Sequence, residues 1–462
     1  MKHDVESFRR AAAEAAEWIA GYLADPGRYR VNPDIRPGEL MDRLPACGPE
    51  HGETLAQIQA DFERLILPAV THWNHPRFFN YFACTASVPG VIAEMLAASL
   101  NTNGFNWIAS PAAAELEQVA VNWVRQWMGL AGDYFGQIFD TASISTLHAV
   151  MAARERADPE ARLDGITKRL TVYSSEQAHS SIDKAVIAAG IGLRQLRKIG
   201  TDAEFRMRPE LLERAMAADA AAGFTPCCVI ATVGSTSTAS VDPLEPILDI
   251  AERYNAWVHV DAAYGGAAAL LPEFAWMLRG NERAHSLVVN PHKWMFTPMD
   301  CSVFFTRHPD ILRRTFTVTP EYLKTTADPR EVNLMDYGVA LGRRFRGLKL
   351  WYVLRYYGLD QLRELIRGHI AMAREFASWV ESDDRFALAA PVSLSVVCFQ
   401  LRKGEAATRG LVAAVNQTGE FFISQTLLQT GYAARVAIGN QATTTDDVRA
   451  LWTEIVRQSE RL

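Results

Sequence analysis

Three residues, far apart in the chain, have the types and settings that an organic cofactor needs. Lys293 stands in Val288-Val289-Asn290-Pro291-His292-Lys293-Trp294-Met295-Phe296, an amine inside an apolar run. Desolvation disfavours the ammonium form, so such an amine has a lowered pKa and is more nucleophilic near neutral pH. Asp261 closes the short hydrophobic strand Trp257-Val258-His259-Val260. Small residues follow it (Ala262, Ala263, Gly265, Gly266), leaving room for a flat ring against the carboxylate. Open α/β sheets place their ligands at such strand ends. His179, in Ser174-Ser175-Glu176-Gln177-Ala178-His179-Ser180-Ser181, follows another strand, where an imidazole can stack on a ring or hydrogen-bond a carboxylate. Each residue alone has an ordinary reading: a snorkelling lysine, an aspartate cap, a structural histidine. Together they suit pyridoxal phosphate, with an amine to hold its aldehyde as an imine. The carboxylate would keep the pyridine nitrogen protonated, making the ring an electron sink for a carbanion.

A phosphate needs backbone N–H groups at a helix start, helped by hydroxyls. The strand Phe135-Gly136-Gln137-Ile138-Phe139 runs into Asp140-Thr141-Ala142-Ser143-Ile144-Ser145, which offers both. A plain N-cap by Asp140 explains the same residues equally well. A second hydroxyl cluster, Gly234-Ser235-Thr236-Ser237-Thr238, follows the strand Cys227 to Thr232 and adds to the same pocket if the two strands are neighbours. No G-x-x-x-x-G-K-[ST] loop is present, and Gly190-Ile191-Gly192 lacks the rest of a dinucleotide fingerprint. His72 and His75 form an H-x-x-H with no third ligand in view, so no metal is expected.

The elements that must position these groups follow from hydrophobic period. Phe8, Ala11, Ala15, Trp18, Ile19 and Tyr22 make one helical stripe, ended by Asp25-Pro26-Gly27. Residues 31–52, rich in proline and turn formers, form an arm. From about residue 86 to 343, helical stretches alternate with β-branched strands such as Leu170-Thr171-Val172-Tyr173, Cys227 to Thr232 and Val258-His259-Val260. That alternation predicts an α/β domain with a mostly parallel sheet covered on both faces. A helix from Leu348 toward Tyr357 opens a smaller α+β domain with strands Leu394 to Phe399 and Arg435 to Ile438. The expected division is a helical arm and dimerisation segment over 1–85, a cofactor-binding domain over 86–345 and a small domain over 346–462.

Bulk properties exclude several classes. A net charge of -6 gives no reason to expect nucleic acid or an anionic membrane as partner. No stretch approaches the roughly 20 apolar residues that span a bilayer. The six cysteines include no C-x-x-C pair, and the N-terminus lacks a signal-peptide layout. Reduced thiols in the cytoplasm are the expectation.

Five strings in order carry a family resemblance: Thr71-His72-Trp73-Asn74-His75-Pro76; Ser110-Pro111-Ala112 with Glu115-Leu116-Glu117; His259-Val260-Asp261-Ala262-Ala263-Tyr264; Asn290-Pro291-His292-Lys293-Trp294; and Leu341-Gly342-Arg343-Arg344-Phe345-Arg346. The chain resembles the group II pyridoxal-phosphate decarboxylases, the aromatic L-amino-acid decarboxylase branch in particular. The resemblance implies the fold-type-I, aspartate aminotransferase-like architecture with a seven-stranded central sheet, and a homodimer with active sites at the subunit interface. It makes Lys293 the cofactor-bound lysine, Asp261 the pyridine-nitrogen partner and His179 the ring-stacking histidine. Thr141, Ala142, Ser143, Asn290 and His292 become phosphate-side residues, with Thr236 and Ala263 near the ring. Trp73, Tyr81, Phe82 and Cys84 become the substrate wall, and Phe105 the residue given by the other subunit. Tyr322, on a polar stretch broken by Asp328-Pro329, is similar to the loop tyrosine that protonates the substrate carbon.

The sequence also departs from the family pattern. Asp140 puts a carboxylate beside the phosphate turn, where relatives often have Gly-Ser-Ala-Ser-Glu. Ala83-Cys84 stands where catechol-accepting relatives often have proline-threonine, and Gly342 where phenol- or histidine-specific relatives tend to have serine. Loss of the hydroxyl weakens hydrogen bonding to ring hydroxyls, and glycine leaves room for a larger ring. These features favour tryptophan or phenylalanine over tyrosine or DOPA. The alternatives are an aromatic aldehyde synthase, which in this family goes with loss of the loop tyrosine, an aminotransferase, and a non-catalytic cofactor-binding relative.

Overall fold

The computed structural model describes residues 5–318 and 331–462. In chain order the strands are β1 (Phe78–Phe79), β2 (Phe135–Phe139), β3 (Leu170–Ser175), β4 (Leu196–Ile199), β5 (Thr225–Thr232), β6 (Trp257–Asp261), β7 (Ser286–Val289), β8 (Ser302–Thr306), β9 (Phe386–Leu388), β10 (Val396–Leu401), β11 (Phe422–Leu428) and β12 (Gly431–Ala437). Seven of them form one sheet in the order β2-β8-β7-β6-β5-β3-β4. Only β8 runs antiparallel to its neighbours.

Side chains alternate across a strand, so successive residues serve different layers. On β5, Val229 and Ala231 enter a core with Leu212, Met216, Ile247 and Leu248, which come from the helices Pro209–Ala221 and Leu244–Arg253. Cys228 and Ile230 face the other way, joining Ala149, Ala153, Ile182 and Val186 of the helices Ala142–Ala157 and Ser181–Ala188. With helices on both faces, β3, β6, β7 and β8 are buried along their whole length. That explains the continuous apolar runs in the sequence.

The second sheet, in the order β1-β11-β12-β10-β9, carries its own core of Phe376, Phe399, Leu411, Ile423, Leu451 and neighbours. Two elements join the expected segments. β1 lies in the N-terminal stretch yet pairs in parallel with β11. The helix Arg346–Glu381 places Leu350, Val353 and Ile366 in the large core and Phe376 and Val380 in the small one. It passes through Gly358 at φ 61, a left-handed conformation that glycine adopts without a Cβ clash.

Strand ends differ slightly from the expected ones. β10 starts at Val396; just before it the Ser395 carbonyl accepts the Ile438 N–H and its hydroxyl pairs with Tyr264. β12 begins earlier, at Gly431, where it closes a hairpin with β11.

The first helix forms as the period predicts, over Val5–Ala24, and none of its residues is buried in this protomer. It docks through Trp18 and Tyr22, which stack at 5.4 Å, with the Tyr22 hydroxyl 3.0 Å from His72 Nδ1. His75 Nδ1 accepts from the Arg77 N–H. Both histidines of the H-x-x-H therefore serve local packing.

Candidate active site

The C-terminal ends of β5, β6 and β7 and the turn after β2 converge on a cavity of about 300 Å³. Lys293 enters it from the short helix Pro291–Trp294 that follows β7. Its Nζ lies 5.1 Å from the centroid of the Phe82 ring. Burial lowers its pKa, while the negative charge of Asp261 pulls the other way. Asp261 ends β6, and its Oδ1 accepts the Ala263 N–H at 3.1 Å. His179 precedes the helix Ser181–Ala188, and its Nδ1 accepts the Ser181 N–H at 3.1 Å. His179 is exposed in this protomer; partial desolvation lowers its pKa, and with Nδ1 accepting, the proton of the neutral ring sits on Nε2.

Thr141, Ala142 and Ser143 line the same cavity at the start of the helix Ala142–Ala157. Thr141, not Asp140, is the N-cap residue, and its hydroxyl makes no capping bond. The Asp140 carboxylate accepts its neighbour's N–H, that of Thr141, at 2.7 Å. The capping alternative for Asp140 is thereby replaced by this one-residue contact. The first N–H groups of a helix have no intrahelical acceptor, and here they face a cavity. His292 Nδ1 accepts the Cys301 N–H at 3.0 Å, and burial pushes its pKa down to about 3.

The polar groups around the cavity fit an anionic, ring-bearing cofactor. Asn290 Oδ1 and Thr232 Oγ1 are buried without a partner, and both residues line it. Buried polar atoms are almost always satisfied, so two orphans on one cavity suit a polar ligand. Of the hydroxyl cluster after β5, Gly234 and Thr236 reach the cavity. Ser235 pairs instead with Thr238 and Ser240 inside its own turn. A Cβ on Gly234 would come within 2.8 Å of the Gly265 nitrogen, so the loops after β5 and β6 meet backbone to backbone.

An aromatic wall closes one side. Trp73 and Tyr81 stack at 5.6 Å and 13°, and Phe82 stacks on Tyr264 at 3.7 Å and 17°. The Arg435 guanidinium lies 4.8 Å from the Phe82 centroid. Cys84 also lines the cavity, its thiol donating weakly to the Phe82 carbonyl at 3.7 Å. Burial pushes that thiol up to about 11.

Phe105 and Gly342 do not line this protomer's cavity. Their neighbours are joined: the Arg343 N–H donates to Asn103 Oδ1 at 2.8 Å, and the Gly104 N–H to the Arg343 carbonyl at 3.0 Å. Tyr322 lies outside the described residues. Sequence reasoning did not single out Ser181, Thr232, Tyr264 and Met299 of the lining, or Arg435 behind it. Tyr264 was within reach, since it ends the His259–Tyr264 string. Arg435 gave no local signal.

The model of the pyridoxal-dependent decarboxylase conserved domain matches residues 37–402. The chain belongs to the pyridoxal-dependent decarboxylase family. Its cofactor is pyridoxal phosphate, and it is a carboxy-lyase of fold type I. The chain is similar to tryptophan decarboxylase TDC2 of Camptotheca acuminata, 39% identical over 471 positions and covering 98% of this chain and 94% of that one. It is similar to phenylacetaldehyde synthase of Petunia hybrida, 37% identical over 97% of this chain and 93% of that one. A solved structure of Oryza sativa TDC with PLP and tryptamine superposes with a TM-score of 0.97 at 35% identity, covering 100% of this chain and 99% of that one.

Proposed function

We propose that this decarboxylase converts an aromatic L-amino acid to its amine and carbon dioxide, tryptophan or phenylalanine in preference to tyrosine or DOPA. The observation that carries the reading is one cavity lined by Lys293, Asp261 and His179 together with a stacked Trp73–Tyr81 wall. The similarity to enzymes named for tryptophan and for tyrosine supports an aromatic side chain.

When bound, the cofactor would supply an electron sink for the charge that loss of carbon dioxide leaves at Cα. Lys293 would hold the cofactor through its aldehyde carbon; burial lowers the amine's pKa, which favours the nucleophilic form. Asp261, whose Oδ1 accepts the Ala263 N–H, would keep the pyridine nitrogen protonated. His179 covers the ring, with Thr236 and Ala263 beside it. Thr141, Ser143, Asn290, His292 and the helix N–H groups at Ala142 and Ser143 hold the phosphate. Trp73, Tyr81 and Phe82 orient the substrate's side chain and exclude water from Cα. Tyr322 delivers the proton to Cα.

The enzyme works as a homodimer in the cytoplasm on this reading. The helix Val88–Leu100 exposes Ile92, Met95, Leu96 and Leu100, which suits a subunit interface. Phe105 completes the partner's pocket on this reading, in keeping with its place outside its own. All six cysteines are unpaired, in keeping with a reducing compartment.

The aldehyde synthase reading is supported by the Petunia relative and opposed by Tyr322. One assay separates them: carbon dioxide, amine, aldehyde, ammonia and peroxide measured together on a panel of amino acids. The proposal expects amine equimolar with carbon dioxide, and Tyr322→Phe to lower amine and raise aldehyde. Equimolar aldehyde, ammonia and peroxide from the unaltered enzyme would make it a synthase.

A further inference from the structure

Trp294, the residue after Lys293, is fully buried and engaged on both face and edge. Its face stacks on Tyr264 at 4.5 Å and 4°, and Tyr264 backs Phe82. Its indole N–H donates to His369 Nδ1 at 2.9 Å. His369 lies on the helix Arg346–Glu381, wholly out of water, and burial pushes its pKa down to about 4. The ring is therefore neutral. Because Nδ1 accepts, Nε2 carries the proton and donates to the Asn440 carbonyl at 3.0 Å. The buried Asn440 side chain then donates to the carbonyls of Trp73 and His75, both at 2.9 Å, and its Oδ1 accepts the Ala442 N–H. Each polar atom in this chain has one role and one direction. The chain runs from the neighbour of Lys293 to the backbone of the substrate wall, and neither His369 nor Asn440 lines the cavity.

We propose that His369 is a positioning residue that fixes the separation between Lys293 and the Trp73–Tyr81 wall, and with it the ring size the pocket accepts. This rests on the roles given above to Lys293 and Trp73. A buried donor or acceptor left without a partner is costly, so position 369 needs a side chain that accepts from an indole and donates to a carbonyl. Glutamine meets both demands, and methionine meets neither.

The test compares H369Q, H369M and N440D as purified holoenzymes with tryptophan and phenylalanine. N440D keeps the acceptor for Ala442 and loses both donors. All three should keep the wild-type cofactor absorbance. H369Q should stay within about threefold of wild type in kcat/KM for both amino acids. H369M and N440D should each shift the tryptophan-to-phenylalanine ratio of kcat/KM about fivefold or more, through KM with little change in kcat. With nitrogen-15-labelled tryptophan, the Trp294 indole N–H should resist deuterium exchange in wild type and H369Q and exchange in H369M. Equal effects of H369Q and H369M, or an unchanged ratio in N440D, would overturn the proposal. If H369M does not fold, N440D and H369Q decide it by the same ratio. A wild-type enzyme without cofactor absorbance would instead sink the Lys293 reading, before any variant is compared.

Discussion

Cys84→Thr should move the enzyme toward phenolic substrates, by an amount the site itself sets. Burial holds the Cys84 thiol near a pKa of about 11, so at neutral pH it is a protonated, weak donor already directed at the Phe82 carbonyl. It offers a ring hydroxyl almost nothing. A hydroxyl buried without a partner forfeits about 1–3 kcal/mol, or about 5- to 150-fold in kcat/KM. The unaltered enzyme should therefore favour phenylalanine over tyrosine within that range. Threonine puts a hydroxyl at the γ position, able both to donate and to accept. One new hydrogen bond returns about 0.5–1.5 kcal/mol, raising the tyrosine-to-phenylalanine ratio about two- to tenfold. Cys84→Ala is the control and should leave the ratio near wild type. The assay is competitive: both amino acids in one vessel, with the two amines quantified, so the ratio is independent of active enzyme concentration. A wild-type ratio near unity, or a Cys84→Thr ratio within about twofold of wild type with cofactor absorbance intact, would refute the reasoning.

Other expected outcomes concern the lysine, a buried ion pair and acid. Lys293→Ala should abolish the borohydride-reducible covalent link to the cofactor, and a surviving adduct at another residue would refute the assignment. Glu117 Oε1 lies 2.6 Å from Arg343 Nη2, both side chains buried, and also accepts the Ile138 N–H. Glu117→Gln leaves that guanidinium uncompensated and should cost about 3–5 kcal/mol of stability; an unchanged denaturant midpoint would show the charge to be immaterial. His148, His259 and His369 are fully buried with folded pKa values of about 4, below the ordinary 6.5. The unfolded chain then binds protons that the folded one does not, so stability is complete above about pH 6.5 and falls as pH drops toward 4, by up to ~3 kcal/mol per histidine. Urea midpoints that stay level between pH 7 and pH 5 would contradict this.

What could be seen in the sequence was what the chain encodes locally. Asp261 ends a hydrophobic strand, Lys293 and His179 lie within a few residues after two others, and a parallel sheet brings such strand ends to one edge. The strand–turn–helix at 135–145 was legible for the same reason. Which group caps its helix was not, because that depends on the backbone angles of Thr141 and not on residue type. β1 is two residues long, too short for any alternation to show, and its partner β11 begins at Phe422.

Arg435 marks the limit most clearly. Its segment reads as an ordinary small-domain strand, with one arginine among apolar residues. The β12 register sets it opposite Ser424 on β11 and Cys398 on β10. From there it donates to the carbonyls of Tyr81, Thr236 and Ser237, on two chain segments that meet only in the folded protein. A slip of one residue would bring Ala434 or Val436 to that face and turn the guanidinium away. The site's charge balance beside Phe82 is thus fixed by the pairing of the small sheet. Hairpin register is read from long-range contacts, so sequence periodicity locates the cofactor's lysine and aspartate but not the cation that braces the wall facing them.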